Sequence, residues 1–156
     1  MIQPLALPKA NLRLSKKGEL LFVWCVARKK TLQLTPEEWV RQHVIHYLVN
    51  HKNVPLGLLI SEYSIKVNSM SRRCDIVVVG TDQVPKIIVE CKAPEVVINR
   101  QVLHQIAQYN FQVNADYLLL TNGLHHVICK IDRANNAFIY LEEIPDFSII
   151  NQKKVE

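Results

Sequence analysis

Glycine is scarce in this chain: Gly18, Gly57, Gly80 and Gly123 are the only four in 156 residues. None belongs to a G-x-x-x-x-G-K-S/T loop, so the phosphate cradle of a nucleotide-driven motor is excluded. The four cysteines, Cys25, Cys74, Cys91 and Cys129, stand far apart with no C-x-x-C pair, which argues against a cysteine-based zinc site. Each falls in an apolar run and is expected as a buried free thiol in a reducing cytoplasm. His43, His46, His51, His104, His125 and His126 lack the H-E-x-x-H spacing, and adjacent residues such as His125 and His126 on a strand point to opposite faces. All six read as surface or packing histidines. No apolar run reaches the ~18 residues of a membrane span, and the first eight residues lack a signal-peptide core. A soluble, cytoplasmic protein with no membrane partner is expected. Internal repeats, low-complexity tracts, linkers and a helix-turn-helix or finger are also missing.

What is present is a globular composition, 49% hydrophobic and 21% charged, long enough for one domain over residues 1–156. Residues 1–33 read as an N-terminal extension with one strand, 34–123 as the core, and 124–156 as C-terminal strands and a tail. The net charge of +5 suits a polyanionic partner without requiring one.

The most informative stretch runs from Cys74 to Lys92. Cys-Asp-Ile-Val-Val-Val-Gly and Lys-Ile-Ile-Val-Glu-Cys-Lys flank the turn-like Thr81-Asp82-Gln83-Val84-Pro85, the pattern of two buried strands in a hairpin. If the loop is Thr81 to Val84, Gly80 lies opposite Pro85 and Asp75 opposite Glu90. Strand alternation then puts Asp75, Val77, Val79, Ile88, Glu90 and Lys92 on one face, and Cys74, Ile76, Val78, Ile87, Val89 and Cys91 on the other. Opposed carboxylates on an apolar surface need compensation. Lys92 supplies one charge; a divalent cation bridging Asp75 and Glu90 supplies the rest, and oxygen ligands suit Mg²⁺. The alternative is a buried Asp-Lys-Glu network that only holds the hairpin.

Around the hairpin the chain alternates strands and helices. Leu20 to Val26 is strand-like and closes on Arg28-Lys29-Lys30, three charges that suit either phosphate or solvent. Thr35-Pro36 opens a helix, with Thr35 as N-cap and Glu38 completing a capping box. Glu37 falls on the stripe of Val40, Arg41, Val44 and Leu48 that faces the sheet; it needs Arg41 or a metal as partner, or is simply an acid favoured by the helix dipole. Ser61 to Val67 is a strand, and Arg72 and Arg73, in the polar connection to the hairpin, are candidate phosphate contacts or a solvated turn. A second helix over about Ile98 to Asn114 turns Val102, Leu103, Ile106, Ala107, Asn110 and Val113 to the core, and carries Gln101, Gln105, Gln108 and Gln112 along one flank. Amides can donate to phosphate or base edges. Ala115 to Thr121, Leu124 to Lys130 and Ala137 to Leu141 complete the strands, with Asn122-Gly123 as a hairpin turn.

Asp75, fourteen intervening residues, then Glu90-Cys91-Lys92 resembles the core signature of the PD-(D/E)XK nuclease superfamily. From about Leu34 to Gly123 the text is similar to the N-terminal domain of type I restriction enzyme R proteins: Thr35-Pro36-Glu37-Glu38-Trp39-Val40-Arg41-Gln42, Gln105-Ile106-Ala107-Gln108-Tyr109-Asn110 and Leu120-Thr121-Asn122-Gly123 stand in the family's order. Cys74 replaces the proline that often precedes the aspartate. The resemblance implies an α/β mixed sheet with a restriction-endonuclease-like αβββαβ core, helices on both sides and an extra N-terminal strand. It implies a Mg²⁺-dependent DNA endonuclease, with Mn²⁺ as substitute. Asp75, Glu90 and the Cys91 carbonyl would hold the metal, and Lys92 would position or deprotonate the water. Glu37 would assist the metal, Gln105 and Tyr109 would sit beside the pocket, and Arg41 would support Glu37 or touch phosphate. Lacking a motor loop, the chain is expected as a freestanding relative or as the nuclease module alone, with restriction-modification subunits or a separate motor as partners and a homodimer left open. A catalytically idle nucleic-acid-binding or assembly module with the same fold is the alternative.

Overall fold

Two β-branched runs, Ile76-Val77-Val78-Val79 and Ile87-Ile88-Val89, are buried at the centre of a sheet covered on both faces, which is where such residues pack best. The computed structural model describes residues 2–67, 69–110 and 113–153, and the side chains at 65, 67, 109 and 110 lie outside that description. Six strands, β4 (Leu59–Val67), β5 (Met70–Val79), β6 (Pro85–Cys91), β7 (Tyr117–Thr121), β8 (His126–Asp132) and β9 (Ala137–Leu141), lie side by side in chain order. Neighbours are antiparallel except β6 and β7, which are parallel. A parallel pair needs a crossover, and the helix α2 (Arg100–Asn110) lies within it. The sequence expectation of a mixed sheet between helices is met.

Side chains alternate across this sheet and build two apolar layers. On one face Ile76, Val78, Ile87, Val89 and Cys91 pack against Val40, Val44, Ile45 and Leu48 of α1 (Pro36–His51), and against Phe147 and Ile150 of the short helix α3 (Phe147–Ile150). On the other, Val77, Val79, Ile88, Leu118 and Leu120 meet Leu103 and Ala107 of α2. All four cysteines are free and buried, as expected. Burial pushes the thiols of Cys74 and Cys129 up to about 12 and about 11, so neither is a nucleophile at neutral pH.

The N-terminal extension holds more than the one expected strand. β1 (Leu14–Lys17), β2 (Leu20–Cys25) and β3 (Lys30–Gln33) form a separate antiparallel sheet, closed at the first turn by Gly18 with φ of 61°. Cys25 anchors it in the layer beneath α1. Basic and polar residues in β1 and β3 had masked their strand character.

Other boundaries also shift. Arg72 and Arg73 belong to β5, paired with Ile65 and Ser64, rather than to a polar connection. The helix α2 begins at Arg100, two residues later than expected, because Asn99 caps it through a 2.9 Å bond from Val102 N to its Oδ1. The capping box of α1 is half formed: Glu38 N donates to Thr35 Oγ1 at 3.1 Å, but the Glu38 carboxylate turns inward to Arg41 and Gln42.

Asn122 is more than a turn residue. It is 3% exposed; its Oδ1 accepts from Leu124 N and His125 N, while its Nδ2 donates to the Val96 carbonyl at 2.8 Å. It thereby ties the segment after β6 to the β7–β8 turn. Asn122→Ala leaves these groups unpaired in a buried place and is expected to cost about 2–4 kcal/mol. Urea unfolding should show this as a lower midpoint with an unchanged slope.

Candidate active site

The β5–β6 ladder ends where the carboxylates begin. It runs through Val78↔Ile87 and Val77↔Ile88 to Ile76↔Val89, leaving Asp75 and Glu90 as the first residues beyond it. The predicted juxtaposition of the two acids is therefore found, although a bulge between Val78 and Val79 sets Val79, not Gly80, opposite Pro85. Past this point β5 stays with β4 as far as Met70, while β6 stays with β7 as far as Cys91↔Thr121. The sheet forks, and the acids sit in the fork.

Strict alternation fails there. Cys74 packs on the same side as Val77 and Val79, against expectation, and Asp75 turns toward α1. The cause is visible in β4. Ser61 pairs with Ile76 and Tyr63 with Cys74, but Glu62 between them, opposite Asp75, has φ of 56°. A left-handed residue inside a strand costs on the order of 1–3 kcal/mol and rotates the local side chains off their regular faces.

What Asp75 turns toward is Arg41, one of the few charged side chains the fold buries, at 6% exposure. Arg41 Nη2 donates to Asp75 Oδ1 at 2.9 Å and to Glu37 Oε1 at 3.0 Å; Nη1 donates to Glu38 Oε2 at 2.5 Å and lies 3.7 Å from Glu62 Oε1. The other oxygen of Asp75, Oδ2, accepts from Cys91 N at 2.7 Å. Both oxygens are thus fixed by donors anchored in α1 and β6. Arg41 is thus the cation paired with Asp75, a contact the spacing argument, which offered Lys92 as the one compensating charge, did not anticipate.

Among the described residues Arg41 makes no such bond to Glu90. Burial and the adjacent Asp75 carboxylate, close enough to share a hydrogen bond, push its carboxyl up to about 8. Lys92 and Arg72 oppose that rise without cancelling it. Glu90 therefore holds its proton more readily than an ordinary carboxyl. Glu37, half exposed, is also raised, first by burial and then by Asp75, and is lowered by Arg41 and Lys92. Asp75, Glu90, Glu37, Lys92, Arg41 and the Cys91 backbone therefore converge on one fork.

The remaining candidates are placed differently. Arg72 is half-buried near Glu90 and Cys74, whereas Arg73 is exposed and 3.8 Å from Glu62. Gln105 is exposed on α2 and makes no hydrogen bond with a fork residue among the described residues; the Tyr109 side chain lies outside the described residues. Glu62 was not foreseen. It pairs with Arg28 and approaches Arg41 and Arg73, so Arg28 is engaged in an ion pair rather than open to phosphate or solvent. An acid inside a strand pattern was the available signal, but its left-handed backbone is not readable from residue type.

Among the described residues no three His, Cys, Asp or Glu side chains come close enough to hold a metal by themselves. The donor set that fits a hard cation is two carboxylates plus a backbone carbonyl. Asp75 and Glu90 fit because two adjoining carboxyls, Glu90 raised by burial and by Asp75, are what a divalent cation relieves.

The sequence profile of the family described as type I restriction enzyme R protein N terminus matches residues 36–145. The chain belongs to this family. The match covers α1 through β9 and reaches beyond the Leu34–Gly123 span of the sequence resemblance. Among solved structures, a fragment described as an HsdR subunit of a type I restriction enzyme from Vibrio vulnificus YJ016 shares the fold, with a TM-score of 0.52 over 74% of this chain and 19% identity. This R-protein N-terminal domain spans 24% of that chain. A search of curated proteins finds no match. The mixed sheet and its helices are those of a restriction-endonuclease-like fold. No described helix is long and apolar enough to cross a membrane.

The raised Glu90 carboxyl fixes a pH dependence. The folded protein keeps a proton that the unfolded chain releases near 4.5, so the folded state binds more protons between about 4.5 and about 8. This contribution to stability is present at acidic pH and lost as pH rises toward 8. Thermal unfolding without metal should show a falling Tm across that range, and Glu90→Gln should flatten the fall and raise the Tm at pH 8.

Proposed function

We propose that this R-protein N-terminal domain is a metal-dependent endonuclease of the PD-(D/E)XK type, hydrolysing a DNA phosphodiester. The observation that carries the reading is the fork of β5 and β6. It holds Asp75 and Glu90 against each other, keeps the Glu90 carboxyl raised despite Lys92 and Arg72, and sets Lys92 two residues on. Asp75, Glu90 and the Cys91 carbonyl would hold Mg²⁺ or Mn²⁺. A bound ion supplies Lewis acidity at the phosphate and lowers the pKa of water.

The protein's own groups do the positioning. Arg41 and the Cys91 N–H fix both oxygens of Asp75 along defined directions and leave the remaining lone pairs for the cation. Glu90 would bind such a cation as the carboxylate, releasing its proton. Lys92 reaches the attacking water and holds or accepts its proton, while Glu37 orients water from the α1 side. Arg72 sits where a strand of DNA would pass Glu90, and Gln105 and Tyr109 on α2 would steady the scissile phosphate or Lys92. DNA is the substrate, and the remaining parts of a restriction complex, including a motor protein, are the partners.

A second reading, an idle binding or assembly module, is favoured by one observation: Arg41 already neutralises Asp75. Supercoiled plasmid separates the two. With Mg²⁺ or Mn²⁺ the wild type should produce nicked and linear DNA, and Lys92→Ala or Asp75→Ala should reduce the rate at least 100-fold. Undiminished cleavage by Asp75→Ala would exclude the proposed site; no cleavage by any form, with no metal-dependent rise in Tm, would favour the idle module.

A further inference from the structure

The positive charge of this protein is not spread over it. Residues 1–30 contain seven cations, Lys9, Arg13, Lys16, Lys17, Arg28, Lys29 and Lys30, against one acid, Glu19, a net of +6. The other 126 residues carry twelve cations and thirteen acids, a net of −1. The excess therefore coincides with the three-stranded sheet, which lies outside the span 36–145 matched by the family profile.

Its side chains are free to engage a partner. Among the described residues Arg28 alone of the seven pairs with an acid. Every residue of β1 is exposed, and so are Lys29 and Lys30. Lys29 is held at the tip of the β2–β3 turn with φ of 52°, a left-handed conformation uncommon for a residue with a Cβ. On the face shared by Lys17, Ser15, Phe22 and Trp24, the Arg13 guanidinium lies 5.6 Å from the Trp24 ring centre. Cations with hydroxyl and aromatic groups on one face suit a polyphosphate chain better than isolated acidic side chains.

Lys16 and Lys30, paired with Leu21 and Cys25, stand on the opposite side of the same two edge strands, and the β2–β3 turn communicates with the fork. Arg28 pairs with Glu62, Glu62 approaches Arg41, and Arg41 holds Asp75. We infer that the appended sheet of β1 to β3 is a sequence-independent clamp for the phosphate backbone of DNA, carrying the strand that the fork receives. That the polyanion is DNA rests on the nuclease reading; that the sheet binds a phosphate chain does not.

The test measures binding of a mixed-sequence 30-base-pair duplex by fluorescence anisotropy in EDTA, from 50 to 300 mM KCl. The combined variant Lys16→Gln, Lys17→Gln, Lys29→Asn and Lys30→Gln is compared with wild type. Each phosphate contact contributes about 0.9 to the slope of log affinity against log salt. The variant should lose about 3 in slope and at least tenfold in affinity at 100 mM KCl. The pair Lys16→Gln and Lys17→Gln, confined to exposed positions of β1, should lose about half as much in slope and guards against misfolding of the fourfold variant. Lys130→Gln with Lys153→Gln should leave the slope unchanged. Equal slopes for wild type and the Lys16/Lys17 variant, or no binding by wild type, would overturn the proposal. So would displacement of the duplex by polyglutamate at equal charge concentration, or tighter capture by phosphatidylserine vesicles, which would assign the face to an acidic protein or a membrane. Since EDTA removes the metal, failure of the nuclease reading shows separately, as absent cleavage with the salt slope intact.

Discussion

A single buried guanidinium organises this molecule's chemistry. Arg41 reaches from α1 into the fork of the sheet and binds Glu37, Glu38 and Asp75, with Glu62 at 3.7 Å. A buried cation is tolerated only when it is paired and hydrogen-bonded, so the position of α1 on the sheet and the turn of Asp75 out of strand alternation are coupled. The left-handed backbone at Glu62 is a cost the same network offsets. With Asp75 satisfied, the imbalance falls on Glu90, whose carboxyl is pushed up to about 8 by burial and by the neighbouring Asp75.

The sheet converts that imbalance into a site. Parallel pairing carries β6 with β7, antiparallel pairing carries β5 with β4, and the two pairs separate beyond Ile76 and Val89. Each carboxylate is thus attached to a different rigid edge of the opening. Asn122 and the segment from Pro94 to Val96 brace the chain just after Lys92, so the end of β6 is held on both sides. A site on strands and a helix is more sharply defined than one on loops, which suits a reaction that depends on the placement of water and phosphate.

Much of this was legible in the residues. The β-branched runs around Asp75 and Glu90 specified the hairpin and its register within the ladder, since a slip by one would expose an entire buried face. Thr35-Pro36 specified the start of α1. The signal faded where long-range geometry overrides local pattern. Glu38 satisfied a capping rule, yet its carboxylate was claimed by Arg41 and Gln42 across the buried side of α1. Lys92 was the cation that spacing offered to offset one of the two acids, while Arg41, thirty-four positions from Asp75, is what pairs with it. Glu62 carried no motif, and its importance comes from a backbone angle. The N-terminal strands were hidden because β1 and β3 are short, exposed and polar, and depend on β2 for their pairing.

Burial and the neighbouring Asp75 make Glu90 keep its proton more readily than an ordinary carboxyl, and a divalent cation bound there would displace that proton. Titration calorimetry of Mn²⁺ into the protein, repeated in buffers of different ionisation enthalpy, counts the protons released on binding. At pH 7 the account predicts release approaching one proton per ion, falling toward zero by pH 9.5 and absent in Glu90→Gln. Binding at pH 7 with no proton release, or equal release from Glu90→Gln, would contradict it.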